Sequence, residues 1–219
     1  LSGFLAWALR CTAAISPYLR PLMEQFLLQL KASTLAEWLA FGFGVLQVWL
    51  ALLNQRVNFY AGLLSVSIYT WLFYEAGLYA ESLLNAYYWF ISLAGLFFWK
   101  NAAAGIRPVS RPSGKGWGRG GILVVTACLG LYFILSRYTD STVPLPDAVV
   151  SSLAWAGSYL LMKRKLENWL VLNMSNALAI PLQISKGMEL AAVLTLIYFV
   201  LAIAGYFRWK KDSLQMAEK

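Results

Sequence analysis

A chain of 219 residues that is 60% hydrophobic and only 13% charged cannot cover itself as a soluble globule, for which about 45–50% apolar and about 25% charged residues are usual. Its net charge of +8 sits in short segments between apolar runs and leaves no basic-aromatic face, so the positive-inside rule explains it and a nucleic-acid partner is not expected. Histidine is absent and the two cysteines, Cys11 and Cys128, have no metal or redox spacing, so neither a metal site nor a cofactor is expected.

Residues 1–31 are apolar, but Arg10, Arg20, Pro17 and Pro21 interrupt them. An interfacial amphipathic helix fits this stretch better than a further span. Three spans follow, at 34–54, 57–77 and 79–99, each long enough to cross about 30 Å of hydrocarbon. Residues 100–120, KNAAAGIRPVSRPSGKGWGRG, read as a basic, Gly- and Pro-rich linker loop. Its GKGWGRGG run lacks the spacing and the Ser/Thr of a phosphate loop. A single span at 121–138 precedes three more, at 145–163, 167–185 and 190–207, and a tail covers 210–219.

Orientation follows from charge. With the loops after spans one, three and five and the C-terminus in the cytoplasm, that side holds Arg56, Lys100, Arg107, Arg111, Lys115, Arg119, Lys163, Arg164, Lys165, Arg208, Lys210, Lys211 and Lys219. These are thirteen of the eighteen basic residues, which places the N-terminus outside.

The sequence matches itself at an offset of 110 residues. Asn58, Ser65, Leu72 and Gly77 match Asn168, Ser175, Leu182 and Gly187. Leu84, Tyr88, Ala94, Gly95, Phe97, Trp99 and Lys100 match Leu194, Tyr198, Ala204, Gly205, Phe207, Trp209 and Lys210. That is eleven identities in 43 ungapped positions, and Glu37 falls opposite Asp147 at the start of each half. Apolar bias alone does not bring Asn, Gly, Trp and Lys into register. One intervening span lets both halves point the same way, so the expected fold is all-α and integral to the membrane. Its seven transmembrane helices form a 3+1+3 arrangement of parallel three-helix repeats, 34–99 and 145–209. Such repeats place substrate near the bilayer midplane at their interface.

Polar residues inside spans mark that interface. Span six carries Trp169, Asn173, Asn176, Ile180 and Gln183 at spacings that share one helical face, with Pro181 on the same helix. Span three presents Asn85, Tyr88, Trp89 and Ser92. Span two offers Asn58, Ser65 and Tyr69, with Gly62 allowing close approach. Amides supply donors and acceptors without charge, and aromatic rings supply faces for stacking or for a cation. The set suits a heteroaromatic ring joined to a hydroxylated sugar. The plainer alternative is that the amides hold helices together, and that Trp38, Tyr79, Trp99 and Trp209 at the span ends are interface anchors. Every acid lies at or beyond a span end, so no mid-membrane carboxylate is available to relay protons, which disfavours proton coupling and points to a uniporter. No nucleophile–base pair or metal set marks an enzyme.

Several motifs resemble the PnuC-type vitamin transporters, which take up nicotinamide riboside and include thiamine-transporting relatives. They are Glu37 opening span one, Gly77-Leu78-Tyr79-Ala80 before span three, Gly95 with Trp99, Gly205 with Trp209, and Asp147 opening span five. The run Lys163-Arg164-Lys165-Leu166-Glu167-Asn168-Trp169 is the most specific. The resemblance covers roughly residues 34–210. It implies an architecture related to the SWEET sugar carriers and facilitated diffusion with trapping by phosphorylation inside the cell. It further implies a bacterial inner-membrane location and association in the membrane, as a trimer. It puts Trp169, Asn176, Asn85 and Ser92 at binding positions. The family often has a second Trp where this chain has Leu172, and longer amides in place of Asn85 and Ser92.

Overall fold

The computed structural model describes residues 19–75, 79–99, 109–110, 114–139 and 141–217. Residues 1–18, most of the basic linker, Gly77 and Cys11 lie outside the described residues. The described chain is helical: α1 (Leu19–Ala32), α2 (Leu35–Leu52), α3 (Asn58–Glu75), α4 (Tyr79–Phe98), α5 (Gly114–Tyr138), α6 (Pro144–Met162), α7 (Asn168–Ser185) and α8 (Glu189–Ala217). Helix α5 starts inside the stretch read as linker. An established apolar helix adds one backbone bond for each residue fixed, which carries it through a glycine-rich turn.

Helix α1 is amphipathic. Met23, Phe26, Leu27 and Leu30 turn inward at helical spacing while Glu24, Gln25, Leu28 and Lys31 are exposed, and α1 packs on α8. Helix α2 begins with a capping box: Thr34 Oγ1 accepts from Glu37 N, and the Glu37 carboxylate accepts from Thr34 N. The packing order is α2 on α3, α3 on α4, then α6 on α7 and α7 on α8, with α5 against α6 through Cys128, Leu131, Leu135, Ala148 and Trp155. The two groups meet through α2 on α8 and α4 on α6.

Helix α2 and the Glu189–Leu214 part of α8 are apolar enough to cross a membrane by hydropathy alone. Helices α3, α4, α6 and α7 have 18–20 residues each, a length of about 27–30 Å. Inward polar residues such as Asn85, Ser92, Asn176 and Gln183 lower their mean hydropathy, while Phe90, Phe97, Met174 and Leu178 are exposed on them, as lipid-facing side chains would be.

The offset of 110 is a repeat of bonds as well as letters. Helices α2 and α6 both end in a Schellman turn. In the first, Asn54 N donates to Ala51 O and Gln55 N to Leu50 O; in the second, Arg164 N donates to Leu161 O and Lys165 N to Leu160 O, all at 2.9 Å. The left-handed residue is Asn54 in one turn (φ 56°) and Arg164 in the other (φ 55°), the latter an uncommon choice. Asn58 Nδ2 donates to Gln55 O and Asn168 Nδ2 to Lys165 O. Ser65 Oγ donates to Ala40 O and Ser175 Oγ to Val150 O, each at 2.8 Å.

The aromatic contacts repeat too. Phe59 meets Trp99 edge-on at 5.0 Å, and Trp169 meets Trp209 edge-on at 5.4 Å. Each pair needs a glycine beneath it. A Cβ on Gly95 would lie 2.2 Å from the Phe59 ring, and one on Gly205 2.7 Å from the Trp169 indole. Gly95→Ala should therefore destabilise the fold by about 1–3 kcal/mol through overpacking, read as a lower melting temperature in detergent. The double variant with Phe59→Leu should recover much of the loss.

Trp99 and Trp209 are 2% and 0% exposed, which corrects their reading as interface anchors. Trp99 Nε1 donates to Met162 O at 2.9 Å, and Trp209 Nε1 to Ala51 O at 3.1 Å. Each indole thus crosses to the last turn of the first helix in the opposite repeat, where a dry interior makes the partnered N–H worth keeping. Around them Ala51, Leu52, Phe59, Leu96, Leu161, Leu166, Trp169 and Ala202 form one core. Val109 joins it, because Ser110 pairs backbone to backbone with the α6–α7 turn through Arg164 O and Leu166 N.

Candidate functional site

Between the two repeats lies a cavity of about 770 Å³. At one end its wall is Phe59 and Trp169, which belong to the aromatic core. At the other it reaches Glu37, Trp38, Gly187 and Met188, with Gln29 and Ala32 of α1 and the following Ser33 alongside. Gln29 fixes α1 there. Its Nε2 donates to Gly187 O at 2.5 Å and to the Glu189 carboxylate, and its Oε1 accepts from Leu190 N at 3.0 Å. The α7–α8 turn that it grips passes through Gly187 at φ 68°, where glycine avoids the steric cost of a side chain.

Matched positions of the two repeats line the cavity together: Phe59 with Trp169, Gly62 with Leu172, Ser65 with Ser175, Val66 with Asn176, Tyr69 with Ala179, Phe73 with Gln183, Asn85 with Thr195 and Tyr88 with Tyr198. The cavity therefore sits astride the relation that exchanges the repeats. Its two walls share a backbone plan and differ in side chains.

Of the residues singled out from the sequence, Trp169, Asn176, Gln183, Asn85, Tyr88, Ser92 and Tyr69 are on this wall. Asn58, Trp89 and Asn173 are not. Asn58 is fully buried and bonded to its own turn. Trp89 is 40% exposed and packs edge-on against Phe90. The inward stripe of α7 runs through Trp169, Leu172, Asn176, Ala179 and Gln183, so its centre is rotated from the Trp169–Asn173–Ile180 line. Two of its polar atoms, Trp169 Nε1 and Gln183 Oε1, are buried without a hydrogen-bond partner among the described residues. Such atoms are costly unless something satisfies them.

The sequence reading missed Gln47, Tyr198, Gln29 and Glu37 as wall residues. Gln47 had a signal, since it is the only amide in the otherwise apolar interior of α2. Its amide covers Gly62, where a Cβ would lie 2.8 Å from it. At the matched positions the sizes are exchanged: Leu172 covers Gly157, whose Cβ would lie 2.6 Å from the leucine. A polar amide on one wall thus faces the relation that gives an aliphatic side chain on the other. Tyr198 reaches the wall because Gly44 makes room, a Cβ there falling 2.2 Å from its hydroxyl. Tyr87 stacks on Trp155 at 4.4 Å and donates to its carbonyl at 2.8 Å, joining α4 to α6 beside Tyr88.

Comparison with known proteins places these features. The nicotinamide riboside transporters PnuC of Escherichia coli (strain K12) and Shigella flexneri are each 21% identical, over 80% of this chain and 85% of theirs. A crystal structure of the vitamin B3 transporter PnuC superposes with a TM-score of 0.69 at 21% identity, covering 97% of this chain and 92% of that one, which shows a shared fold. A family profile described as nicotinamide mononucleotide transporter matches residues 34–211, and the chain belongs to that family, which is one of transporters and not of enzymes.

Proposed function

We propose that the chain is a uniporter that carries nicotinamide riboside across a bacterial inner membrane by facilitated diffusion, the product being trapped by phosphorylation inside. The observation that carries this reading is the cavity between matched repeat positions, with amides and aromatics on both walls. The names of the PnuC relatives support the choice of ligand. Trp169 stacks on the pyridine ring, while Asn176, Asn85, Gln183 and Gln47 hydrogen-bond the carboxamide and ribose. Repeats 34–99 and 145–209 rock against each other about the cavity, with 121–138 as the joining span in a 3+1+3 plan. The basic segments put the C-terminus in the cytoplasm and the N-terminus outside, and a trimer is the assembly that the resemblance implies. Thiamine is the second ligand to test, because it also joins a cationic ring to polar groups.

Purified protein in liposomes should give saturable uptake of nicotinamide riboside that an imposed pH gradient leaves unchanged. A parallel titration with thiamine and riboflavin ranks the vitamins. Binding without flux would replace the carrier with a ligand-sensing membrane protein.

A further inference from the structure

The two repeats treat their opening acids differently. Glu37 on α2 and Asp147 on α6 occupy matched positions, each in the first turn of its helix. Asp147 is neutralised: Lys186 Nζ lies 2.6 and 2.7 Å from its two oxygens, and Ser141 Oγ donates to it at 2.5 Å. Asp147 is not on the cavity wall, and Glu37 is. The Glu37 carboxylate accepts from Thr34 N at 2.6 Å and from Thr34 Oγ1 at 3.1 Å. Both donors are neutral, so the cap holds the charge in place without cancelling it. The position matched to Lys186 is Ala76, which carries no cation.

Among the described residues Glu37 is the only charged side chain on the wall, with no lysine or arginine beside it there. Trp38 and Phe41 stand next to it on the same cavity, their ring centroids 5.8 Å apart. A fixed carboxylate beside two aromatic rings, with no competing cation, attracts an organic cation by charge and offers ring faces to receive it.

We propose that Glu37 is a specificity-determining residue that reads positive charge on the ligand, so the site selects a cationic ring over an uncharged ring of the same shape. The assignment rests on the transport reading above. It adds a charge filter at the start of α2, separate from the stacking of Trp169 and the amides Asn85, Asn176, Gln183 and Gln47.

Glu37→Gln isolates the charge, because a glutamine at this position still closes a capping box. Wild type and Glu37→Gln are titrated with nicotinamide riboside and with benzamide riboside, in which a carbon replaces the charged ring nitrogen. The expected result is that the variant binds nicotinamide riboside on the order of tenfold more weakly, as for one unit charge felt across several ångströms in an intermediate dielectric. Its affinity for benzamide riboside stays unchanged. Equal loss for both ligands, or loss for neither, overturns the proposal. A wild-type chain that binds neither riboside removes the nicotinamide riboside reading instead. Thiamine against its uncharged thiophene analogue, 3-deazathiamine, then puts the same question to Glu37, and no difference between wild type and variant there overturns the proposal as well.

Discussion

Trp209→Ala should cost the folded chain about 3–5 kcal/mol, the range for removing a buried tryptophan from a packed core. The side chain has no exposed surface, touches both Trp99 and Trp169, and donates across the repeats to Ala51 O. Helices in lipid gain little from hydrophobic burial against one another, so close packing and interhelical hydrogen bonds carry more of the association. Removal therefore strikes both terms together. Melting temperature and monodispersity in detergent report the loss. Trp209→Phe should cost much less, keeping most of the ring contact and giving up one hydrogen bond of about 1 kcal/mol. Trp99→Ala should behave alike, and the double alanine variant should fall short of the summed costs, because the two indoles are in contact at 6.3 Å. A Trp209→Ala chain that melts with the wild type would remove the cross-repeat joint from the account.

The second large effect concerns Trp169 and separates packing from recognition. Trp169→Ala should lose ligand binding, but it should also open a cavity above Gly205 and weaken the fold, so that variant alone decides nothing. Trp169→Phe is the informative change. The other repeat already shows that a phenyl ring fits this setting: Phe59 sits over Gly95 and against Trp99 just as Trp169 sits over Gly205 and against Trp209. The variant should fold and melt within a few degrees of wild type. It should bind nicotinamide riboside at least tenfold more weakly, because it lacks the larger stacking face and the indole N–H that is left unpaired at the wall. Unchanged affinity in a well-folded Trp169→Phe protein would take the stacking role from this residue.

The repeat could be read from letters because its joints use residues that little else can replace: Asn58 and Asn168 bonding the turns, Gly95 and Gly205 under rings, Trp99 and Trp209 across the interface. The aromatic–amide wall of α7 was legible for a similar reason, since asparagine and glutamine inside an apolar span ask for a polar environment. Its exact centre was not. Asn173 and Asn176 lie within one turn of each other, and the choice between them is made by how α6 and α8 pack on α7, which a single helix does not encode. Gln47 and Tyr198 came to the wall through glycines on neighbouring helices, Gly62 and Gly44, and such a pairing is visible only in three dimensions. The span-end tryptophans misled because anchors at a lipid surface and staples in a core share the same positions along a helix.

The crossed indoles have a further consequence. Repeat one contains both halves of the joint, the Trp99 donor and the Ala51 acceptor, and repeat two contains the Trp209 donor and the Met162 acceptor. A contact of this kind is nearly its own complement, since each repeat supplies one indole donor and one carbonyl acceptor. Joining two units through a helix such as α5 does not create the interface. It releases the two sides from having to be alike. Two identical copies would have to line both walls of the cavity with the same residues. A fused chain can set Trp169 opposite Phe59 and Leu172 opposite Gly62, and can keep Glu37 on the wall without a cation while its counterpart Asp147 is tied to a lysine off it, and so can hold a ligand whose two ends differ.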